Sequence, residues 1–199
     1  MSADPFHLNR PVHLARRDVF YEKAVVLVKK LPAQKQISEQ RKTAEQALYL
    51  LREARRHAEA ANLSEKTSAQ SRLFVSLMDV VVDNTLSITR MLRRQSCANA
   101  SDNPIDGFIG SAGTGEKMSG YYRRCTALVL KGLLYMLQQA EKPFQALRQT
   151  SLAKMAVVDK ARYEKAQKHF EELADGEAEK AAEFPASGFG TPLQTAAGR

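Results

Sequence analysis

The chain of 199 residues has no Trp, only two Cys and no long uninterrupted apolar segment. Cys97 and Cys125 have no His or Cys neighbour at metal-ligand spacing, so neither a disulfide framework nor a zinc site is predicted, and we expect a reducing, cytoplasmic environment. The densest apolar stretch, residues 127–137, contains Lys131 and is shorter than the roughly 20 residues of a membrane span. We therefore expect no membrane association, and no cofactor or metal ion.

The residues that are abundant favour helix. Leu, Ala, Lys, Arg, Glu and Gln dominate the middle of the chain, and all are good helix formers. The sequence thus predicts an all-α fold, an antiparallel four- or five-helix bundle with a long Gly-rich loop and a disordered C-terminal tail. We expect a flexible N-terminus over residues 1–10, a bundle domain over 11–175 and a disordered tail over 176–199, since Gly176 is a good helix stop.

Five helices follow from apolar periodicity and from breaker residues. The predicted limits are Pro11, or Asp18 as an N-cap, to about Lys30; about Ser38 to Ala61; about Ser68 to Arg94; about Ser119 to Ala140, ended or kinked at Lys142-Pro143; and about Phe144 to Ala174. The fourth helix is apolar nearly all round, which predicts that it is the most buried element. Asn84, in the apolar stripe of the third helix, is predicted to be a hydrogen-bonded core residue, with a ligand contact as the alternative.

Residues 96–117 have no periodicity and predict a mobile connection. Gly110 and Gly115 have the spacing of a phosphate-binding loop, which requires Lys and then Ser or Thr after the second glycine. Here Glu116 occupies the lysine position, and Met118 follows Lys117. A carboxylate at that position repels phosphate, so a nucleotide loop is not predicted.

The formal net charge of +8 favours an anionic partner. The basic excess lies in residues 1–60 and 118–175, and so in helices rather than in a tail. Aromatic rings beside guanidinium groups, as in residues 120–124, are typical of surfaces that bind single-stranded nucleic acid. The predicted nucleic-acid-binding residues are Arg41, Arg52, Arg56, Tyr121, Tyr122, Arg123, Arg124, Lys154, Lys165 and Lys168.

Two Arg–His pairs resemble a known motif. Arg52 with His57, and Arg162 with His169, are similar to the R-x(4–6)-H pattern of the helical HEPN ribonucleases, and the resemblance implies RNA cleavage. On continuous helices, five residues turn the chain by about 140°, and seven residues separate the side chains by about 10 Å along the axis. This geometry favours solvated charges over a catalytic pair, so we expect a protein that is not an enzyme.

The sequence therefore favours a non-catalytic basic helical accessory protein that binds RNA or single-stranded DNA within a larger nucleoprotein complex. The alternative is a protein–protein adaptor or structural subunit of a larger assembly. On the second helix Ala44, Ala47, Leu51, Ala54, Ala58 and Ala61 recur at spacings of three and four, which predicts a stripe of small residues that neighbouring helices approach closely. Such small-residue stripes, and Val82 and Leu86 pointing outward on the third helix, favour a homo-oligomer.

Overall fold

The computed structural model describes residues 10–62, 68–100 and 114–183. In these ranges the chain forms five α-helices and no strand, which confirms the predicted all-α bundle. The helices are α1 (Arg10–Lys30), α2 (Ile37–Asn62), α3 (Ala69–Ala100), α4 (Thr114–Lys154) and α5 (Val157–Glu183), and a 3₁₀ turn (Leu31–Ala33) follows α1.

Neighbouring helices run antiparallel. His13 and Phe20 of α1 meet His57 and Tyr49 of α2, and Phe74 of α3 meets Phe144 of α4, so sequence positions rise along one helix as they fall along the other. α1 packs mainly on α2 and α5, and α3 packs on α2 and α4. The backbones of α1 and α4 approach each other at few points, and the two helices meet mainly through long side chains such as Tyr21 and Phe144, so α4 lies at an edge of the bundle.

The core centres on three aromatic rings from three helices. Tyr21 lies 4.3 Å from Phe144 and 5.5 Å from Phe74, measured between ring centroids, and the two Phe rings are 5.7 Å apart. On α2 the small-residue stripe is buried as predicted, since Ala44, Ala47, Leu51, Ala54, Ala58 and Ala61 all belong to the core. Alanine at these positions allows α1 and α3 to approach closely.

The predicted helix boundary at Pro143 is wrong, because α4 continues through it. Buried residues continue at spacings of four and three on both sides of the proline: Leu133, Leu137, Ala140, Phe144, Leu147 and Ser151. Packing of this face outweighs the backbone hydrogen bond that proline cannot donate. The break falls instead at Met155–Ala156.

Other helix ends also differ from prediction. α1 begins at Arg10, and Asp18 is a buried mid-helix residue rather than an N-cap. α3 extends to Ala100 and α4 begins at Thr114, so both ends of the predicted 96–117 connection are helical, and its centre, 101–113, lies outside the described residues. Ser68 caps α3, because its hydroxyl accepts a hydrogen bond of 3.1 Å from the Ser71 amide.

The predicted stop at Gly176 is wrong as well, since α5 passes through it to Glu183. Ala178 is buried, and Glu177 bonds to Arg16 of α1 at 2.8 Å. These tertiary contacts outweigh the weak helix propensity of glycine. Residues 1–9 and 184–199, where flexible ends were predicted, lie outside the described residues.

Two burial predictions are corrected. α4 is not the most buried helix: Leu128, Tyr135 and Tyr121 are 71%, 60% and 54% exposed, because α4 has a close neighbour only along α3. In α3, Asn84 is only half-buried. Thr85 takes the core position instead, and its hydroxyl donates to the Val81 carbonyl at 2.7 Å.

Candidate nucleic-acid interface

The outer surface of α4 is positively charged without compensation. The sequence contains no Asp or Glu between Glu116 and Glu141. Arg123, Arg124 and Lys131 are exposed in this stretch, and among the described residues none of the three has a carboxylate partner. An unpaired surface cation keeps its full charge for an external anion, so this part of α4 is the first candidate site.

A groove lies between α4 and the corner that joins α1 to α2. Its volume is about 830 Å³. Apolar side chains and three cations line it, together with the amides of Gln34, Gln40 and Gln95; the other lining residues are Pro32, Ala33, Lys35, Ile37, Arg123, Thr126, Ala127, Leu130, Lys131 and Leu134. No carboxylate is among these lining residues. We call this feature the basic groove.

Gln95 and Gln34 bring side-chain amides to the basic groove. Gln95 is only 5% exposed. The Gln34 amide nitrogen donates a hydrogen bond of 2.7 Å to Thr43 Oγ1, whereas the Gln34 amide oxygen, Oε1, is buried without a partner among the described residues. Buried amides are usually hydrogen-bonded, so these two can bond to a ligand edge that carries donors and acceptors.

The structure divides the predicted "GYYRR" cluster around the helix. Successive helical residues point about 100° apart, so the four side chains face different directions. Arg123 lines the basic groove and Arg124 faces solvent. Tyr121 is exposed and Tyr122 half-buried, with their rings 5.7 Å apart and edge-on. Neither tyrosine lines the groove, so aromatic stacking and the basic groove occupy different sides of α4.

The predicted arginines of α2 lie close to carboxylates. Arg41 approaches Glu45 at 3.9 Å, and Arg56 approaches Glu53 at 3.7 Å. Arg52 is half-buried, and this burial, followed by the nearby positive charge of Arg90, lowers its pKa. None of the three lines the basic groove.

The predicted lysines of α4 and α5 form a second exposed surface. Lys165 and Lys168 project from α5, where Glu164, Glu171 and Glu172 share the exposed surface. Lys154, at the end of α4, lines a small cavity of about 100 Å³ with Arg10 and Arg17. The mixed charge of α5 makes it a weaker anion site than the basic groove.

Sequence reasoning missed a buried charged group between α1, α4 and α5. Asp18 is 1% exposed and lies 2.6 Å from the guanidinium of Arg17. It accepts a hydrogen bond of 2.8 Å from the Tyr163 hydroxyl, and Arg148 lies 3.9 Å away. Burial, with the negative charge of Asp18 as the second cause, raises the pKa of Tyr163. An Asp in the middle of a helix, next to two arginines and followed by Val19 and Phe20, was the available signal.

A second buried polar group lies between α1, α2 and α5. The Nδ1 atoms of His13 and His57 are 2.7 Å apart, so one ring donates to the other. His57 Nε2 lies 3.6 Å from the Glu53 carboxylate. The Arg16 guanidinium lies between two carboxylates, 3.3 Å from Glu53 and 2.8 Å from Glu177. Burial is the main cause of a lowered pKa at His57.

Tyr49 also belongs to this group, because its hydroxyl donates a hydrogen bond of 3.0 Å to the Glu177 carboxylate. Burial and that bond raise the pKa of Tyr49 to about 12. Arg16, Arg17 and Asp18 of α1 are therefore bonded to other side chains within the bundle.

The two Arg–His pairs do not form matching sites. His57 is buried between His13 and Glu53, and Arg52 lies beside Arg90 and Asp83. In the second pair His169 is exposed next to Phe170, while Arg162 lies 3.6 Å from Asp159. Neither arrangement places an arginine and a histidine around one open cavity.

Within the described ranges, no cluster of three or more His, Cys, Asp or Glu could hold a metal ion, and no helix is long and apolar enough to cross a membrane. Comparison with protein-family models, curated proteins and solved structures found no match to this chain.

Proposed function

We propose that this protein is a non-catalytic basic helical accessory protein that binds RNA or single-stranded DNA in the basic groove, within a larger nucleoprotein complex. The observation that carries the proposal is the groove lining: three cations, the buried amide oxygen of Gln34 that has no partner among the described residues, apolar side chains and no carboxylate.

Each part of the lining matches one part of a nucleotide chain. Lys35, Arg123 and Lys131 supply positive charge for phosphates, which accounts for most of the affinity of such proteins. Leu130 and Ile37 offer apolar surface to an unstacked base. Gln95 can bond to the edge of that base, because an amide carries both a donor and an acceptor.

Single strands suit this groove better than a duplex. Bases of a single strand are free to turn into a groove, whereas bases of a duplex are paired and stacked. Ile37 and Leu130 of the lining are half-buried and Gln95 is only 5% exposed, so an unpaired base is better able to reach them than a base inside a duplex.

The first test is binding of a fluorescent 20-nucleotide RNA and its DNA equivalent, measured by anisotropy. Three phosphate contacts give a slope of log K against log salt of about −2, so affinity should fall roughly 20-fold between about 50 and 200 mM salt. No binding at 50 mM salt contradicts the proposal.

Two charge-matched triple variants locate the site. Lys35→Gln/Arg123→Gln/Lys131→Gln should lose at least about tenfold in affinity and most of the salt slope. Lys154→Gln/Lys165→Gln/Lys168→Gln removes the same charge from exposed positions elsewhere, and affinity should stay within about twofold of wild type. Equal losses in both variants would mean that net charge, not the groove, governs binding.

Gln95→Leu separates base recognition from phosphate binding. It removes the amide and keeps a similar side-chain size, so affinity should fall several-fold while the salt slope stays unchanged. Unaltered affinity would show that no base reaches the groove floor.

A further inference from the structure

α4 carries a line of exposed residues that no part of the described fold covers. These residues are Tyr121, Cys125, Leu128, Gly132, Tyr135 and Gln139, at alternating spacings of four and three, and all are exposed except the half-buried Cys125. Such spacing places them along one side of a helix, as in the seam of a coiled coil. We call this line the outer stripe.

The six residues of the outer stripe belong neither to the core nor to the lining of the basic groove, and Lys131 of the groove lies on the flank of the stripe. At about 100° per residue, the stripe lies roughly 130° around α4 from the buried residues Leu133 and Leu137. Its three large side chains, Tyr121, Leu128 and Tyr135, are each more than half exposed. Adjacent exposed residues of this size form a patch rather than isolated apolar positions, and such patches mark interaction surfaces.

Gly132 shows that the outer stripe has room for close approach. A Cβ added at Gly132 would meet no atom within 4 Å, so nothing inside the described fold requires glycine there. Glycine destabilises the interior of a helix relative to alanine. Gly176 of α5 is equally open, so the missing side chain at Gly132 matters only because exposed Leu128 and Tyr135 lie beside it on the same side of α4, where it leaves space for a partner's side chain.

We propose that the outer stripe binds the outer stripe of a second copy of this chain, with the two α4 helices antiparallel. The pattern of the stripe is self-complementary, because large and small residues alternate along it. When the dyad lies between Leu128 and Gly132, Leu128 of each copy fits over Gly132 of the other. In the same register, Tyr135 of each copy meets Cys125 of the other, and Tyr121 meets Gln139.

The flanks of the outer stripe agree with this register. On one side lie Tyr122, Val129 and Met136, which are half-buried and apolar, and the dyad brings the two Val129 side chains together. On the other side lie Arg124, Lys131 and Gln138. The dyad places Arg124 of one copy opposite Gln138 of the other and brings the two Lys131 side chains together, which is the one like-charge contact on this flank. Lysines at such a position are long and solvated, and they separate at little cost.

The symmetry and length of the contact set its strength. Identical patches related by a dyad close into a dimer and do not extend into a filament. The stripe from Tyr121 to Gln139 is about 27 Å long at 1.5 Å per residue. One helix pair of this length gives an interface at the small end of specific contacts, so dissociation should occur in the micromolar range.

Sedimentation velocity of the full chain, freed of nucleic acid and run at about 500 mM salt, tests the dimer. The weight-average mass should rise from near 22.1 kDa toward twice that value as the protein concentration increases from about 1 to 200 µM. Salt at this concentration suppresses nucleic-acid binding in the basic groove, and the proposed dimer forms without nucleic acid. A failure of the dimer proposal is therefore distinguishable from a failure of the nucleic-acid proposal.

Substitutions with matched controls locate the interface. Gly132→Trp and Leu128→Glu alter open positions of α4, so each variant should fold normally and dimerise at least about tenfold more weakly. Gly176→Trp and Val157→Glu make the same changes at open positions of α5 and should dimerise like wild type. Thermal circular dichroism verifies that each variant is folded.

Three outcomes overturn the proposal. Wild type that remains monomeric at 200 µM overturns it, and so do α4 variants that dimerise as strongly as their α5 controls. The third outcome concerns register: with Cys97 and Cys125 replaced by Ser, Lys131→Cys must be joined to itself by a short bis-maleimide more efficiently than Arg123→Cys, which is exposed and lies roughly 160° around α4 from the outer stripe. Equal cross-linking contradicts the antiparallel arrangement.

Discussion

The α1–α2–α5 side of the bundle and the outer surface of α4 use charge in opposite ways. On the first side, Arg16, Arg17 and Asp18 are buried or half-buried and bonded to groups of opposite charge. On α4, Arg123 and Lys131 have no carboxylate partner among the described residues, and large apolar side chains lie exposed nearby. The net charge of +8 therefore says little by itself, because the location of each cation decides whether it serves the fold or a partner.

The largest effect should come from the buried charge on α1. Asp18→Ala leaves Arg17 buried without its carboxylate and removes the acceptor of Tyr163, so the free energy of unfolding should fall by about 3–5 kcal/mol. Asp175→Ala breaks an exposed pair with Lys23 and should cost less than about 1 kcal/mol. Urea denaturation measures both, and similar losses would remove the distinction between buried and exposed charge.

A smaller loss should follow from the end of α5. Glu177→Gln weakens bonds to Arg16 and Tyr49, and the free energy of unfolding should fall by about 1–2 kcal/mol. Glu179→Gln removes an exposed pair with Lys42 and should leave the urea midpoint unchanged. If Glu179→Gln were the more damaging variant, the α5 end would be held by its surface rather than by α1.

The buried His57 makes the first side sensitive to pH. Its pKa is lowered in the folded state by burial, so the unfolded chain takes up a proton more readily than the folded one. The neutral ring therefore contributes stability above its ordinary pKa of 6.5, and this stability is lost as the pH falls below that value. His13, Arg16 and Glu53 face the ring and shift the response through their own charges.

Urea midpoints at pH 7.5 and pH 5.5 measure this response. The midpoint of wild type should fall at the lower pH, and His57→Gln should reduce that fall. His169→Gln, which changes an exposed histidine of α5, should keep the wild-type response. An identical pH response in His57→Gln and wild type contradicts the assignment.

The smallest effect should separate stability from association on α4. Gly132→Ala should raise the free energy of unfolding by about 0.5–1 kcal/mol at low protein concentration, because alanine favours helix and meets no atom. The same variant should weaken the dimer by filling the space for Leu128 of the second copy. Gly176→Ala is the matched control on α5 and should raise stability without changing dimerisation. A Gly132→Ala protein that is both more stable and more strongly dimeric would contradict the proposed contact.

Periodicity and helix propensity were sufficient to predict five helices and the alanine stripe of α2. They failed at Pro143 and Gly176, where a residue that disfavours helix is retained by contacts with distant parts of the chain, such as Phe144 with Tyr21 and Glu177 with Arg16. They also failed for α4, because an apolar sequence does not reveal whether a neighbouring helix exists to cover it.

The candidate site shows the same limit. Arg123 was predicted from its local sequence, but Lys35 and Gln95 were not, since only folding brings the α1–α2 corner and α3 beside α4. Aromatic and basic residues that are adjacent in sequence point in different directions on a helix, which explains why Tyr121 and Arg123 do not share a surface.

Photocross-linking tests the central claim most directly. RNA that contains 4-thiouridine would be bound at about 50 mM salt and irradiated, and the adducts would be located by mass spectrometry. Binding in the basic groove predicts adducts within residues 32–40 and 123–134, and their loss in Lys35→Gln/Arg123→Gln/Lys131→Gln. Adducts concentrated on α2 or α5, or their persistence in that variant, would contradict the claim that the α4 surface is the nucleic-acid site.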